Sequence, residues 1–252
     1  MKVFISVVSH GHKEIIEAID SLAKLANIFH VVLKLNKTEQ GMEDYCLKNN
    51  IHLIDRDYGR GFGANNNLVF QYCTDKLNMT NDDYFIIFNP DCDVSKETIN
   101  DLVESMHANK YKLATINLYK NHSMDEYDNS LRRYPSFFGF VFSFLGLSSS
   151  TIVNKKDINK ISEVEWAHGS FLVFLASHFY SLSGFDERYF MYCDDTDICL
   201  RSNLIDEPVY YYPNLVGVHF KQAASHKIMS KYFFYHVKSV FIFSFRKFFI
   251  LK

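Results

Sequence analysis

The chain has few of the residues that break or cross-link a fold. Its 252 residues hold 4 prolines, 10 glycines and one tryptophan, and contain neither an internal repeat nor a low-complexity linker. Five scattered cysteines (Cys46, Cys73, Cys92, Cys193, Cys199) form no CxxC pair. That excludes a disulfide scaffold and fits a reducing compartment; Cys193 and Cys199 are also too far apart for a zinc knuckle. Charge of one sign is missing too: 27 basic and 29 acidic residues leave a net charge of −2, which excludes a nucleic-acid binder working through bulk positive charge. No stretch of 18 uninterrupted apolar residues occurs, so no transmembrane helix is expected. The apolar run Val3–Val8 is too short for a signal peptide. What is plentiful is apolar and aromatic: 48% hydrophobic residues, with 24 Phe and 16 Tyr. That is enough for a full core in one domain, or one domain with a tail. So many rings also suggest an apolar or sugar-facing surface.

The first half alternates in period. Val3–Val8, Phe29–Leu35, Ile51–Ile54, Tyr84–Phe88 and Leu113–Leu118 read as short buried strands. Lys13–Ala26, Glu43–Lys48, Asn65–Leu77 and Thr98–His107 read as helices between them. Strand-helix alternation predicts an α/β fold with a mainly parallel sheet covered on both faces, and chemistry at the carboxyl ends of its strands. Residues 119–165, with Arg132-Arg133 and the aromatic run Phe137–Leu145, read as an insertion or lid. Pro208–Tyr212 reads as a late strand. From Ser230 the tail is an amphipathic helix mixing phenylalanines with lysines, as interfacial helices do; burial against the core or a second subunit is the competing account. Solvation at the surface is the simpler reading of Arg132 and Arg133.

Three loops draw attention. Asn89-Pro90-Asp91-Cys92-Asp93 follows an apolar strand that Pro90 stops. Two acids one residue apart suit Mg²⁺ or Mn²⁺, which want oxygen ligands; a polar turn capping the next helix is the alternative. Asp194-Asp195-Thr196-Asp197 gathers three acids where a helix should begin. Capping accounts for Asp194 and Asp197, whereas Asp195 is better read as a general base. Asp57–Asn67 carries Gly59, Gly61 and Gly63 before a helix, at a spacing that is not the dinucleotide fingerprint; it is either a ligand loop or a plain one. Ser9-His10-Gly11-His12 is equally ambiguous.

Taken together, Val7–His12, Gly61-Phe62-Gly63 with Asn65-Asn66-Asn67, Phe88–Asp91, Trp166–Phe171 and Gly184–Arg201 resemble the family 2 glycosyltransferases of the GT-A fold, and within them the bacterial rhamnosyltransferases of O-antigen synthesis. The resemblance implies a GT-A domain over 1–229, followed by the amphipathic helix of 230–252, for which membrane association or burial is read from its own residues. It implies that Asp91, Asp93 and His219 hold a divalent metal, with Asp93 the more direct ligand, and that Asp195 is the base. Ser9, Asn36, Gly61 and Asn67 would grip the nucleotide. Trp166, Gly169 and Asp194 would form the donor-sugar or acceptor pocket. On residue type alone, His219 reads as a satisfied buried histidine. Two positions depart from the family: Asp194 stands where a glutamate is usual, and Leu35-Asn36 where many relatives carry an acid.

The implied reaction is inverting transfer of a sugar, best dTDP-L-rhamnose, to a lipid-linked saccharide, by a cytoplasmic protein peripheral on the inner face of the plasma membrane. UDP-linked galactofuranose, glucose or N-acetylglucosamine are alternative donors. A nucleotidyltransferase would carry a glycine-rich basic loop after the first strand. A sugar-nucleotide-binding scaffold with a decayed site would have lost some of these acids.

Overall fold

The computed structural model describes residues 1–134, 151–220 and 231–250; the Phe137–Leu145 run lies outside them. The short apolar runs become β1 (Val3–Ser9), β2 (His30–Leu35), β3 (His52–Ile54) and β4 (Tyr84–Phe88). They pair in parallel in the order β3-β2-β1-β4. All five residues of β4 are buried, as expected for a strand covered on both faces. One layer of core is built on Ile16, Leu22, Leu25, Met42, Ile99, Leu102 and Met106. The other uses Val69, Cys73, Phe179, Ile198 and Cys199.

The helix expected over Lys13–Ala26 is two helices, α1 (Lys13–Ile19) and α2 (Ser21–Ala26), divided at Asp20 with φ +57°. Aspartate is one of the few residues that tolerate the left-handed region, and the break lets Ile16 and then Leu22, Leu25 and Ala26 all reach the core. After α3 (Met42–Lys48), α4 (Phe62–Leu77) begins three residues earlier than its periodicity suggests. Helix α5 (Lys96–Asn109) is capped by Ser95, whose Oγ accepts from Thr98 N at 3.1 Å. Asp91 and Asp93 therefore do not cap it.

The second half is less regular. β5 (Cys92–Asp93) and β6 (Leu113–Tyr119) precede a small outer pair, β7 (Leu131–Arg132) with β9 (Trp166–Ala167). β8 (Ser162–Val164) adds to the edge of β11 (Val209–His219), which runs on from the expected Pro208–Tyr212 through an irregularity between Tyr212 and Val216. β10 (Phe171–Leu175) enters the middle of the sheet antiparallel, between β4 and β6. The sheet is thus mixed, its parallel half followed by an inverted strand. Helices α6 (Ala176–Ser181), α7 (Asp194–Asn203) and α8 (Lys231–Ile250) complete the fold.

The C-terminal helix divides the two accounts of the tail. Val240 and Phe243 bury against Tyr189, Cys193 and Leu200, and Ser239 Oγ donates to Met191 O at 2.8 Å. On the opposite side Phe234, Phe241 and Phe245 are 62%, 61% and 69% exposed. Among the described residues, no helix is long and apolar enough to cross a membrane.

Candidate active site

Strand register gathers loops that are distant in the chain. Phe171 lies opposite Phe88, and Asn89 N donates to Ser170 O at 3.0 Å. The antiparallel β10 thereby carries His168-Gly169-Ser170 to the carboxyl end of β4. β5 pairs with the end of β11, His219 opposite Cys92, so His219 reaches the same loop. Helix α7 joins through Asp195, whose Oδ2 accepts from Gly169 N at 3.1 Å. A side chain at Gly169 would place its Cβ 2.9 Å from the Phe62 ring; glycine is what allows this approach.

The three acids of α7 have three different fates. The turn before them holds Tyr192 and Cys193 at φ +68° and +61°, a conformation costing roughly 1–2 kcal/mol per non-glycine residue and typical of functional sites. Phe62 N donating to Phe190 O at 3.0 Å and the Ser239 bond hold it in place. Cys193 is the N-cap, with no side-chain bond, so Asp194 is not the cap its position suggests. Asp197, fully buried, does not cap either: it accepts from Arg201 Nε at 2.8 Å, Arg246 Nη1 at 2.6 Å and Tyr189 OH at 3.1 Å. It locks α7 to α8. Asp194 is buried, its Oδ1 accepting from Asp195 N at 3.2 Å. Burial and then the adjacent Asp195 charge push its carboxyl up to about 7.

Asp195 alone stays half-buried. Its Oδ1 accepts from Thr196 N at 2.8 Å. Burial raises its affinity for a proton, while the Gly169 and Thr196 donors and the Arg132 charge hold it down. A fixed carboxylate, more basic than an ordinary aspartate, is suited to accept a proton.

The second group lies around His219. Its Nε2 is 3.3 Å from Asp91 Oδ1 and 3.4 Å from Asn89 Nδ2, and its Nδ1 is 2.9 Å from Asp128 Oδ2. Burial opposes charge on the ring, but the Asp128 and Asp91 carboxylates outweigh it and lift the pKa to about 9. The local field therefore favours a cation. A carboxylate oxygen and an imidazole nitrogen this close fit a divalent ion, and the mixed O/N donors suit Mn²⁺ better than the oxygen-demanding Mg²⁺. Cys92 Sγ is near enough to join, but burial keeps it a thiol, directed at Ser170 O at 3.4 Å. Asp93 is not in this group; its Oδ2 lies 3.8 Å from His122 Nε2.

The residues expected at the nucleotide divide. Ser9, Asn36 and Gly61 come together at the ends of β1 and β2. Ser9 Oγ donates to Glu39 Oε1 at 2.6 Å, and the Asn36 amide bonds both backbone groups of Arg60, at 2.9 and 3.0 Å. Gly61 is required by packing, since a Cβ there would lie 2.5 Å from Phe190 O. Asn67 is elsewhere: its amide binds Phe185 N and O, both at 2.9 Å, tying α4 to the Gly184 turn. Trp166 is buried, its Nε1 donating to Arg133 O at 3.0 Å, so it serves packing more than a sugar. Arg132 is half-buried rather than solvated, its charge felt by both Asp195 and Asp128. Three further residues were missed by sequence reasoning. Glu39 also accepts from Gly11 N at 2.8 Å and Lys13 N at 3.0 Å, holding the loop after β1. Lys34 is fully buried in β2, and its signal was a lone charge within an apolar run. Asp128, buried beside His219, gave no signal.

Residues 5–162 match the family model for Glycosyl transferase family 2. The chain is 30% identical over 250 residues to the rhamnosyltransferase WbbL of Escherichia coli K12, covering 97% of this chain and 93% of that one. It is 29% identical over 169 residues to the N-acetylglucosaminyl-diphospho-decaprenol L-rhamnosyltransferase of Mycobacterium tuberculosis H37Rv, covering 64% of this chain and 55% of the relative. Its fold is similar to that of the Pyrobaculum calidifontis mannosyltransferase PcManGT, solved with GDP-Man and Mn²⁺, at a TM-score of 0.58 and 13% identity over 89% of this chain and 58% of that one. With its acids gathered at one rim of a GT-A sheet, the chain belongs to glycosyl transferase family 2 and is a glycosyltransferase.

Proposed function

We propose that this chain transfers L-rhamnose from dTDP-L-rhamnose to a lipid-linked saccharide, inverting the anomeric centre, as a step in O-antigen or other surface polysaccharide synthesis. The observation that carries the reading is the half-exposed Asp195, tethered to Gly169 beside the loop that holds Asp91. A base and a cation site thus share one rim. The rhamnosyl donor is supported by the two relatives, both rhamnosyltransferases. The lipid-linked acceptor is supported by the decaprenol of the mycobacterial one.

In this scheme the acceptor hydroxyl attacks the anomeric carbon while the bond to the diphosphate oxygen breaks. The electron pair leaves with the diphosphate and the hydroxyl proton passes to Asp195. Gly169 N and Thr196 N aim the carboxylate and keep it from rotating. Asp91 and His219, with Asp93 close by in the chain, would hold a divalent ion, Mn²⁺ or Mg²⁺, which supplies positive charge against the departing diphosphate. Ser9, Asn36 and the Gly61 loop form the floor under the nucleotide, and Gly169 and Asp194 border the sugar. The test is a donor panel with Mn²⁺ and an undecaprenyl-diphosphate N-acetylglucosamine acceptor. Transfer from dTDP-L-rhamnose, lost in excess EDTA, is expected. Transfer from a UDP-sugar instead overturns the donor, and full activity in EDTA removes the metal.

The same reading places the protein at the inner face of a membrane. Phe234, Lys238, Phe241 and Phe245 share one exposed face of α8, and residues 231–252 carry five basic and no acidic side chains, which suits an anionic lipid surface. Since α8 is part of the core through Val240 and Phe243, truncating it would confound the test. Replacing Phe234, Phe241 and Phe245 together by Ser leaves the packed side intact. At about 1 kcal/mol per half-buried ring, vesicle partitioning should fall about 100-fold in flotation with phosphatidylglycerol-containing liposomes. Undiminished flotation would assign that face to another role.

A further inference from the structure

Asp128 lies between β6 and β7, 91 residues from His219 in sequence. It is 1% exposed, and its Oδ2 accepts from His219 Nδ1 at 2.9 Å. The backbone fixes it there: Asp128 N donates to Leu118 O at 3.0 Å, and Tyr119 bridges Tyr127. Lys155 reinforces the same place, its Nζ donating to Leu118 O at 3.1 Å and Ser130 Oγ at 2.8 Å. An imidazole whose Nδ1 is held by a carboxylate has its ring plane and its Nε2 direction set. Here Nε2 is turned to Asp91 Oδ1, 3.3 Å away.

We propose that Asp128 is a positioning residue for the cation site: it holds His219 through Nδ1 so that Nε2 joins Asp91 on one divalent ion. This rests on the metal reading above. A buried carboxylate behind a ligating histidine sets ring orientation and ligand basicity, and its loss costs metal affinity about 10- to 100-fold. A merely structural Asp128 would affect stability and leave the ion's ligand set alone.

The experiment is Mn²⁺ titration of the full chain in the presence of dTDP, read by the electron paramagnetic resonance of free Mn²⁺, with nitrogen coupling to bound Mn²⁺ read by electron spin echo modulation. Wild type is expected to bind Mn²⁺ with one histidine nitrogen coupled. Asp128→Ala should bind at least 10-fold more weakly and lose or scatter that coupling. Asp128→Leu, of similar size but without an acceptor, makes the same comparison if the alanine form does not fold. Asp128→Asn keeps an acceptor oxygen and should recover part of the affinity. Wild-type affinity and coupling in both Asp128→Ala and Asp128→Leu, or in whichever folds, overturns this inference alone. A wild-type protein that binds no Mn²⁺ overturns the metal reading and this inference with it.

Discussion

Asp195→Asn should lower kcat by about 10²- to 10⁴-fold while leaving dTDP affinity unchanged. The amide is the same size and keeps an oxygen to accept from Gly169 N or Thr196 N. What it cannot do is take a proton. The change therefore removes base catalysis and one of the two backbone tethers, which is why the effect should appear in kcat. The same chemistry sets the pH profile. The base works only when deprotonated, and removal from water makes Asp195 hold its proton more tightly than an ordinary aspartate, as burial and the Asp195 charge do for Asp194. Turnover should fall as pH drops through the titration of Asp195, at a pH above the ordinary aspartate range. Single-turnover rates and calorimetry with dTDP separate the two quantities. Wild-type turnover in Asp195→Asn would remove Asp195 from the mechanism.

Asp194→Asn should make the protein more stable at pH 8. In the unfolded chain this aspartate ionises from its ordinary value of 3.8, whereas in the fold it holds its proton up to about 7. Between those values the folded state binds the extra proton, so stability is full below 3.8 and is lost as pH rises through about 7. At 1.36 kcal/mol per unit, the shift corresponds to about 4 kcal/mol withheld above neutrality. An asparagine carries no charge to bury and keeps an oxygen for Asp195 N, so about 2–4 kcal/mol should return. Denaturant melts at pH 8 and pH 4 check both sign and window: the variant's advantage should be large at the first and nearly absent at the second. Equal stability at pH 8 would mean that the buried carboxylate is not strained. Stability sacrificed at an active site is a common pattern, here together with the left-handed Tyr192 and Cys193.

Much of the fold was legible because its signals are local. The runs that became β1, β2 and β4 are continuous and apolar, and the helices between them keep a 3.6-residue period. β10 escaped notice because five apolar residues after a glycine do not say which strand they will join or in which direction. The break at Asp20 was hidden because apolar spacing continues across it, and only the backbone angle records the turn.

The site followed the same division. Local chemistry was enough to say that acids stand in loops after apolar strands, because strand ends and helix starts are written in neighbouring residues. It singled out Asp195 as the base, but it gave Asp194 and Asp197 to capping, which neither performs. Asp197 became an anchor because Arg246 arrives from 49 residues away. Asp195 kept an open edge because β10 brings Gly169 to it from 26 residues away. Asp128 and Arg132 entered the site for the same reason. Burial and the field around a charge are sums over non-local neighbours, so which of the other two acids is strained and which is tied belonged to the tertiary structure.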